Sequence, residues 1–226
     1  MTPTPNPNAV DCLILATAPP DARGGEASRR SWALFQAVAR TRKTAVLVAS
    51  DARMSLAHWR ELGARCAWVG LAQRSSLNPR SRRLERAVED ALSKLSPQVV
   101  LAGDAELAVC ARALAGGHRV VVDLDVPAAC GGSRTERSRA LRWRGPSAGQ
   151  RLDQERRAAA EADAVLVRHP AFAGRVPAPR VIAAPTEDPG RVVDVLDHPL
   201  ATHRPVIVRA DVPRAGVATG AVRRAA

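Results

Sequence analysis

A turn that contains two glycines, Gly24 and Gly25, is the first stretch of the chain whose residue types suit a chemical role. A short apolar run typical of a buried strand precedes it, and an amphipathic run typical of a helix follows it. Backbone N–H groups and the helix dipole at such a helix start bind anions, and Arg23 or Arg29 can add charge. The turn is therefore a candidate diphosphate site; alternatively, it needs glycine only for its dihedral freedom. A complete Gly-x-Gly-x-x-Gly motif is absent, so NAD is not favoured.

Carboxylates stand at the ends of two predicted strands. Asp125 ends the run 119–125, where it can hydrogen-bond an acceptor hydroxyl or act as a catalytic base; alternatively, it caps loop N–H groups. Asp123 is expected on the opposite face of that strand and is the weaker candidate. Asp104 follows another strand and either binds substrate or serves as a helix N-cap.

Basic residues give the chain a net charge of +12, and nearly all of them are arginines. A solvated basic surface, an anionic ligand or membrane surface, and nucleic acid are the three interpretations. The arginines between residues 134 and 144 can meet a lipid diphosphate or an anionic membrane, or simply form an Arg-rich loop. Aromatic residues make up 3% of the chain and Tyr is absent, so base stacking is not supported and no nucleic-acid partner is predicted.

Cysteine and histidine spacing indicates no metal site. The four cysteines form no Cys-x-x-Cys pair, and the five histidines are scattered without ligand spacing. No Gly-x-Ser-x-Gly elbow is present, which disfavours a hydrolase. We predict no metal and no cofactor.

The N-terminal residues resemble neither a signal peptide nor a membrane span, so a cytoplasmic location is predicted.

Strand and helix patterns alternate along the chain. Apolar runs predict strands at residues 11–17, 44–49, 66–70, 98–102, 119–125, 163–167 and 180–184. Helical periods lie between them, including one at 151–162 with Asp153 placed to pair with Arg157. Short crossovers of this kind predict an α/β, doubly wound, mostly parallel Rossmann-like sheet of about six or seven strands.

The carboxyl edge of this sheet is where ligands collect in such folds, and the Gly24–Gly25 turn, Asp104 and Asp125 all map to it.

We predict a disordered lead-in at 1–9, one domain at 10–209 and a disordered tail at 210–226.

The order of features resembles the N-terminal, acceptor-side half of the family-four glycosyltransferases, which have two facing Rossmann-like domains. Four local matches carry the resemblance: the proline-then-glycine loop 19–25, the acidic strand end 120–125, the Glu-Arg helix with its following strand 150–167, and the turn 180–185. No two glutamates show the seven-residue separation found in the second domain of that family.

The resemblance implies sugar transfer from a nucleotide-sugar to a cell-surface glycan or lipid-linked acceptor, with help from a second domain. It also implies that Gly24, Gly25, Arg29, Asp104, Glu155 and Arg156 bind substrate and that Asp125 is catalytic. In the family, the Glu155–Arg156 equivalent braces the acceptor side; the alternative here is a solvated helix face. The expected partners are a nucleotide-sugar or phosphorylated acceptor, a separately encoded C-terminal half, and peripheral anionic membrane. The alternative function is a non-catalytic truncated Rossmann-like module that binds an anionic ligand or a protein.

Overall fold

The computed structural model describes residues 6–50, 54–72, 82–114, 117–127, 147–176, 178, 180–186, 188 and 190–197. Within them, seven strands form one sheet in the order β3-β2-β1-β4-β5-β6-β7, and every neighbouring pair is parallel. The strands are β1 (Cys12–Ala16), β2 (Thr44–Ala49), β3 (Trp68–Ala72), β4 (Val99–Ala102), β5 (Arg119–Asp125), β6 (Ala164–Val167) and β7 (Val181–Ala183). The predicted doubly wound, Rossmann-like α/β sheet is confirmed.

The helices cover both faces of the sheet. They are α1 (Glu26–Ala39), α2 (Leu56–Gly63), α3 (Arg82–Leu95), α4 (Ala105–Leu114), α5 (Ala148–Glu161), α6 (Pro170–Ala173) and α7 (Arg191–Asp197). Helices α1, α2 and α7 share one hydrophobic core, which includes Ile14 of β1. Helices α3, α4 and α5 share the other, which includes Leu13 and Leu15. Successive residues of β1 therefore point into opposite cores, because side chains alternate along a strand.

Local capping explains where three helices begin. Ser55 caps α2 by accepting a hydrogen bond from the backbone N–H of His58 at 3.2 Å. Helix α5 begins three residues before the predicted start, because Ser147 and Gln150 form a reciprocal capping box ahead of it. His169 accepts a hydrogen bond from Ala171 N–H and starts the single turn of α6.

The ion pairs on α5 differ from the prediction. Arg157 pairs with Glu161, four residues on, at 2.8 Å rather than with Asp153. Asp153 lies 3.8 Å from Arg156, three residues away. Each pair joins neighbours on the helix surface, and both spacings are compatible with helical geometry.

Several predictions fall wholly or partly outside the described residues. These include the first five residues of the lead-in, the Arg-rich stretch 134–144 and the tail from 210. Asn6, which belongs to the predicted lead-in, donates to Lys94 O at 3.1 Å and so contacts the end of α3. Among the described helices, none combines the length and the apolar character needed to cross a membrane.

The two cores give a direct test of the fold. Leu13 is fully buried, whereas Leu56 is 76% exposed. We expect Leu13→Ala to lower the free energy of unfolding by about 3–5 kcal/mol, since it leaves a cavity between the sheet and its helices. The control Leu56→Ala should change it by less than about 0.5 kcal/mol. Urea unfolding followed by circular dichroism measures both, and equal losses would contradict the placement of β1 at the centre.

Candidate functional site

The carboxyl ends of the parallel strands form one edge, and the strand order reverses there between β1 and β4. Helix α1 leads from β1 towards β2, and α4 leads from β4 in the opposite direction, towards β5. The two strands stay close at this point because Gly103 N–H donates to Leu15 O at 2.8 Å. A Cβ on Gly103 would lie 3.0 Å from the same carbonyl oxygen, so a side chain there would crowd the backbone of β1.

The glycine turn after β1 lies at this edge. Steric crowding requires glycine at one of its two positions but not at the other. A Cβ on Gly24 would lie 2.6 Å from Ser28 Cβ, so the turn is too tight there for a side chain. Gly25, the N-cap of α1, has φ −62° and ψ 176°, and a Cβ on it would meet nothing within 4 Å. Neither backbone strain nor crowding requires glycine at 25, and the space that a Cβ there would take is empty.

Arg29 lies beside this turn, as predicted. Its Nη1 donates a hydrogen bond to Gly24 O at 3.2 Å, and Arg29 is exposed to solvent. Of the two arginines that could add charge to the predicted anion site, Arg29 thus contacts the Gly24–Gly25 turn through its side chain, and Arg23 is exposed within it. Anion binding there stays a prediction.

Asp21 stabilises the same turn and connects it to α2. It accepts a hydrogen bond from Arg23 N–H at 2.8 Å, and its Oδ2 lies 3.2 Å from His58 Nε2. The sequence did not indicate this contact, because Asp21 and His58 are far apart in the chain and meet only when the loops after β1 and β2 share one edge.

A buried ion pair joins α1 to β5. Arg30 Nε and Nη2 donate to the two carboxylate oxygens of Asp123 at 3.0 and 2.9 Å, and Nη1 donates to Ala184 O. The two side chains are 4% and 3% exposed. Burial by itself would lower the pKa of Arg30, but the charge and hydrogen bonds of Asp123 raise it above its ordinary value.

Asp125 continues this network at the end of β5. Its carboxylate accepts from Arg168 Nε at 2.8 Å and from Nη2 at 2.6 Å, and it lies 3.7 Å from Arg30 Nε. Arg168 also pairs with Glu26, the first residue of α1. The backbone of Asp125 has φ 51°, and its N–H donates to Asp123 at 3.2 Å. Burial raises the pKa of Asp125 above its ordinary value, although the hydrogen bonds from Arg168 act to lower it.

The expectation that Asp123 points away from Asp125 is wrong. Both carboxylates contact Arg30. Residues two apart on a strand share a face, and the pairing of β5 with β6 also shifts register between these two residues.

The remaining predicted site residues lie apart from this network. Asp104 caps α4, where its Oδ1 accepts a hydrogen bond from Leu107 N–H at 2.8 Å. Glu155 and Arg156 lie on α5 and line a cavity of about 450 Å³ beyond the end of β5. Substrate contact by these three residues and catalysis by Asp125 stay predictions.

Sequence reasoning missed Arg30, Asp123 as its partner, and Arg168. A signal for Arg30 was available: it precedes Leu34 by four residues and Val38 by eight, so it falls on the apolar face of α1. An arginine on a buried face requires a carboxylate partner. No comparable signal identifies which carboxylate it is.

Comparisons with known proteins find a likeness only of fold. No protein-family model and no curated protein matches the sequence. Among solved structures, a sucrose-phosphate synthase from Thermosynechococcus elongatus matches with a TM-score of 0.50 and 15% sequence identity. The match covers 77% of this chain and 47% of that one, so the chain spans about half the length of its structural neighbour. The chain therefore shares its fold with about half of that enzyme, and the resemblance to the family-four glycosyltransferases stays a prediction.

The buried ion pair can be tested against a neighbouring arginine. We expect Arg30→Met to lower the free energy of unfolding by about 3–5 kcal/mol, because it leaves the Asp123 carboxylate buried without its partner. Arg29→Met, which alters an exposed residue one position away, should change it by less than about 0.5 kcal/mol.

A double variant separates the charge effect from lost packing. Arg30→Met with Asp123→Leu should recover much of the loss, because no unpaired charge stays buried. Denaturant unfolding measures the wild type, Arg30→Met, Asp123→Leu, the double variant and the Arg29→Met control. A double variant as unstable as the sum of its single variants would contradict a direct pairing.

Proposed function

We propose that residues 10–209 form the acceptor-side half of a sugar-nucleotide-dependent glycosyltransferase that acts on a cell-surface glycan or lipid-linked acceptor. The observation that carries this proposal is the structural likeness to about half of a sucrose-phosphate synthase. A second Rossmann-like half, supplied from outside residues 1–226, would form the other wall of the cleft. Holding donor and acceptor between two walls supplies the positioning on which group transfer depends.

The open start of α1 supports an anionic group of the substrate at this edge. Gly25, Glu26 and Ala27 are exposed at the start of the helix, a Cβ on Gly25 would meet nothing within 4 Å, and Arg29 lies alongside. Glu26 places a carboxylate in the first turn, but its charge is paired with Arg168. A phosphate approaching Gly25 would meet the positive end of the α1 dipole and Arg29, and Arg168 offsets part of the negative charge that Glu26 and Asp125 place nearby.

Asp125 retains the capacity to act on an acceptor hydroxyl. A carboxylate offers about four acceptor positions, and Arg168 uses two of them. The side chain is 31% exposed, and burial raises its pKa towards the range useful to a general base. In this proposal Arg168 orients the carboxylate, and Arg30 with Asp123 holds the strand end that carries it.

Calorimetric titration of UDP-glucose, GDP-mannose and ADP-glucose into the purified chain tests the proposal. We expect at least one of them to bind, and Gly25→Leu to weaken that binding at least tenfold, because the new side chain occupies the open space before α1. Gly63→Leu is the matched control, since a Cβ there also meets nothing within 4 Å but lies at the end of α2.

The outcomes separate the two candidate functions. If none of the three nucleotide-sugars binds, or if both glycine variants bind as the wild type does, this edge is not a nucleotide-sugar site. If inorganic diphosphate binds as tightly as the nucleotide-sugars, the non-catalytic anion-binding module is the better description.

A further inference from the structure

A cavity of about 450 Å³ lies on the opposite side of the sheet from α1, beyond the end of β5. One face of α5 and the turn that follows α6 enclose it. It is separate from the Gly25 turn: its lining residues come from 124–127, 152–156 and 174–176. The volume falls within the range of small-molecule sites in proteins.

The floor of this cavity is apolar. Leu124 and Val176 are 8% and 9% exposed and belong to the core between the sheet and α3, α4 and α5. Pro127 and Leu152 complete the apolar lining. A ligand that covered these side chains would remove apolar surface from water.

The rim is basic. Arg156 and Arg175 line the cavity together with one carboxylate, Glu155. Arg156 lies 3.8 Å from Asp153, but the two side chains are 61% and 77% exposed, and such surface pairs are weak. Within the described ranges, no carboxylate lies close enough to Arg175 to form an ion pair with it. Both guanidinium groups are therefore available to an incoming anion.

Helical spacing places the floor and the rim in one site. Leu152, Glu155 and Arg156 stand at i, i+3 and i+4 of α5 and face the cavity together. Their neighbour Arg157 does not line the cavity and pairs with Glu161 instead.

We propose that this cavity binds a small organic anion whose phosphate or carboxylate head contacts Arg156 and Arg175 and whose apolar body covers Leu124, Leu152 and Val176. Guanidinium groups bind both kinds of head through paired N–H donors. Among the described residues that line the cavity, two arginines and one glutamate are charged, and this excess of positive charge favours an anionic ligand. The inference uses none of the residues at the start of α1; it shares with the predicted substrate-binding residues only Glu155 and Arg156, and it holds whether or not the chain takes part in sugar transfer.

Calorimetric titration with four probes tests the site: hexyl phosphate, hexanoate, hexanol and inorganic phosphate. Hexyl phosphate and hexanoate should bind. Hexanol, which lacks the anionic head, and inorganic phosphate, which lacks the apolar body, should each bind at least tenfold more weakly. Arg175→Gln and Leu152→Gln should each weaken hexyl phosphate at least tenfold. The matched control Arg157→Gln should bind as the wild type does.

Three outcomes would overturn the inference: no binding of either hexyl anion, inorganic phosphate binding as tightly as hexyl phosphate, or Arg157→Gln weakening binding as much as Arg175→Gln. Thermal unfolding of each variant checks that it is folded. Arg157 and Arg175 are exposed and Leu152 is half-buried, so all three substitutions should be tolerated. Gly25→Leu should leave hexyl phosphate binding unchanged. Failure of this site and failure of the nucleotide-sugar site are therefore distinguishable.

Discussion

The candidate site depends on one buried ion pair, Arg30 with Asp123. It crosses from α1 to β5, and through Ala184 O it also reaches the end of β7. Removing two charges from water is costly, so the pair is retained only where its hydrogen bonds are well formed. Here both carboxylate oxygens of Asp123 are used. The constraint sets the position of α1, and with it the position of the glycine turn at the carboxyl edge.

This arrangement extends outwards through Asp125, Arg168 and Glu26. Arg168, which follows β6, contacts both Asp125 at the end of β5 and Glu26 at the start of α1, so positive and negative groups alternate along this edge. The first turn of α1 and the ends of two strands are thereby joined into one polar edge. An acceptor hydroxyl near Asp125 and a phosphate near Gly25 would then share a surface whose charges are already in place, as electrostatic preorganisation requires.

Some of the chain's many arginines have a structural role within the fold. Arg30 and Arg168 serve the network, and Arg119 donates to Val195 O and Leu196 O in the last turn of α7. A guanidinium at the carboxyl end of a helix satisfies carbonyl groups that lack an intrahelical partner. These arginines hold elements together rather than forming a binding surface. Arg156 and Arg175 differ, because they line a cavity with an apolar floor.

Strands, helices and their alternation followed from the sequence because they depend on local period: buried runs such as 44–49 and 119–125 lie where the pattern placed them. The grouping of the glycine turn with Arg29 was also local, since the two adjoin in the chain. Only the tertiary structure could decide that Arg30 meets Asp123, 93 residues away, and that Asp125 is held by Arg168. The order of strands in the sheet and the need to pair a desolvated charge select such distant partners. Neither can be read from the residues that adjoin each partner in the sequence.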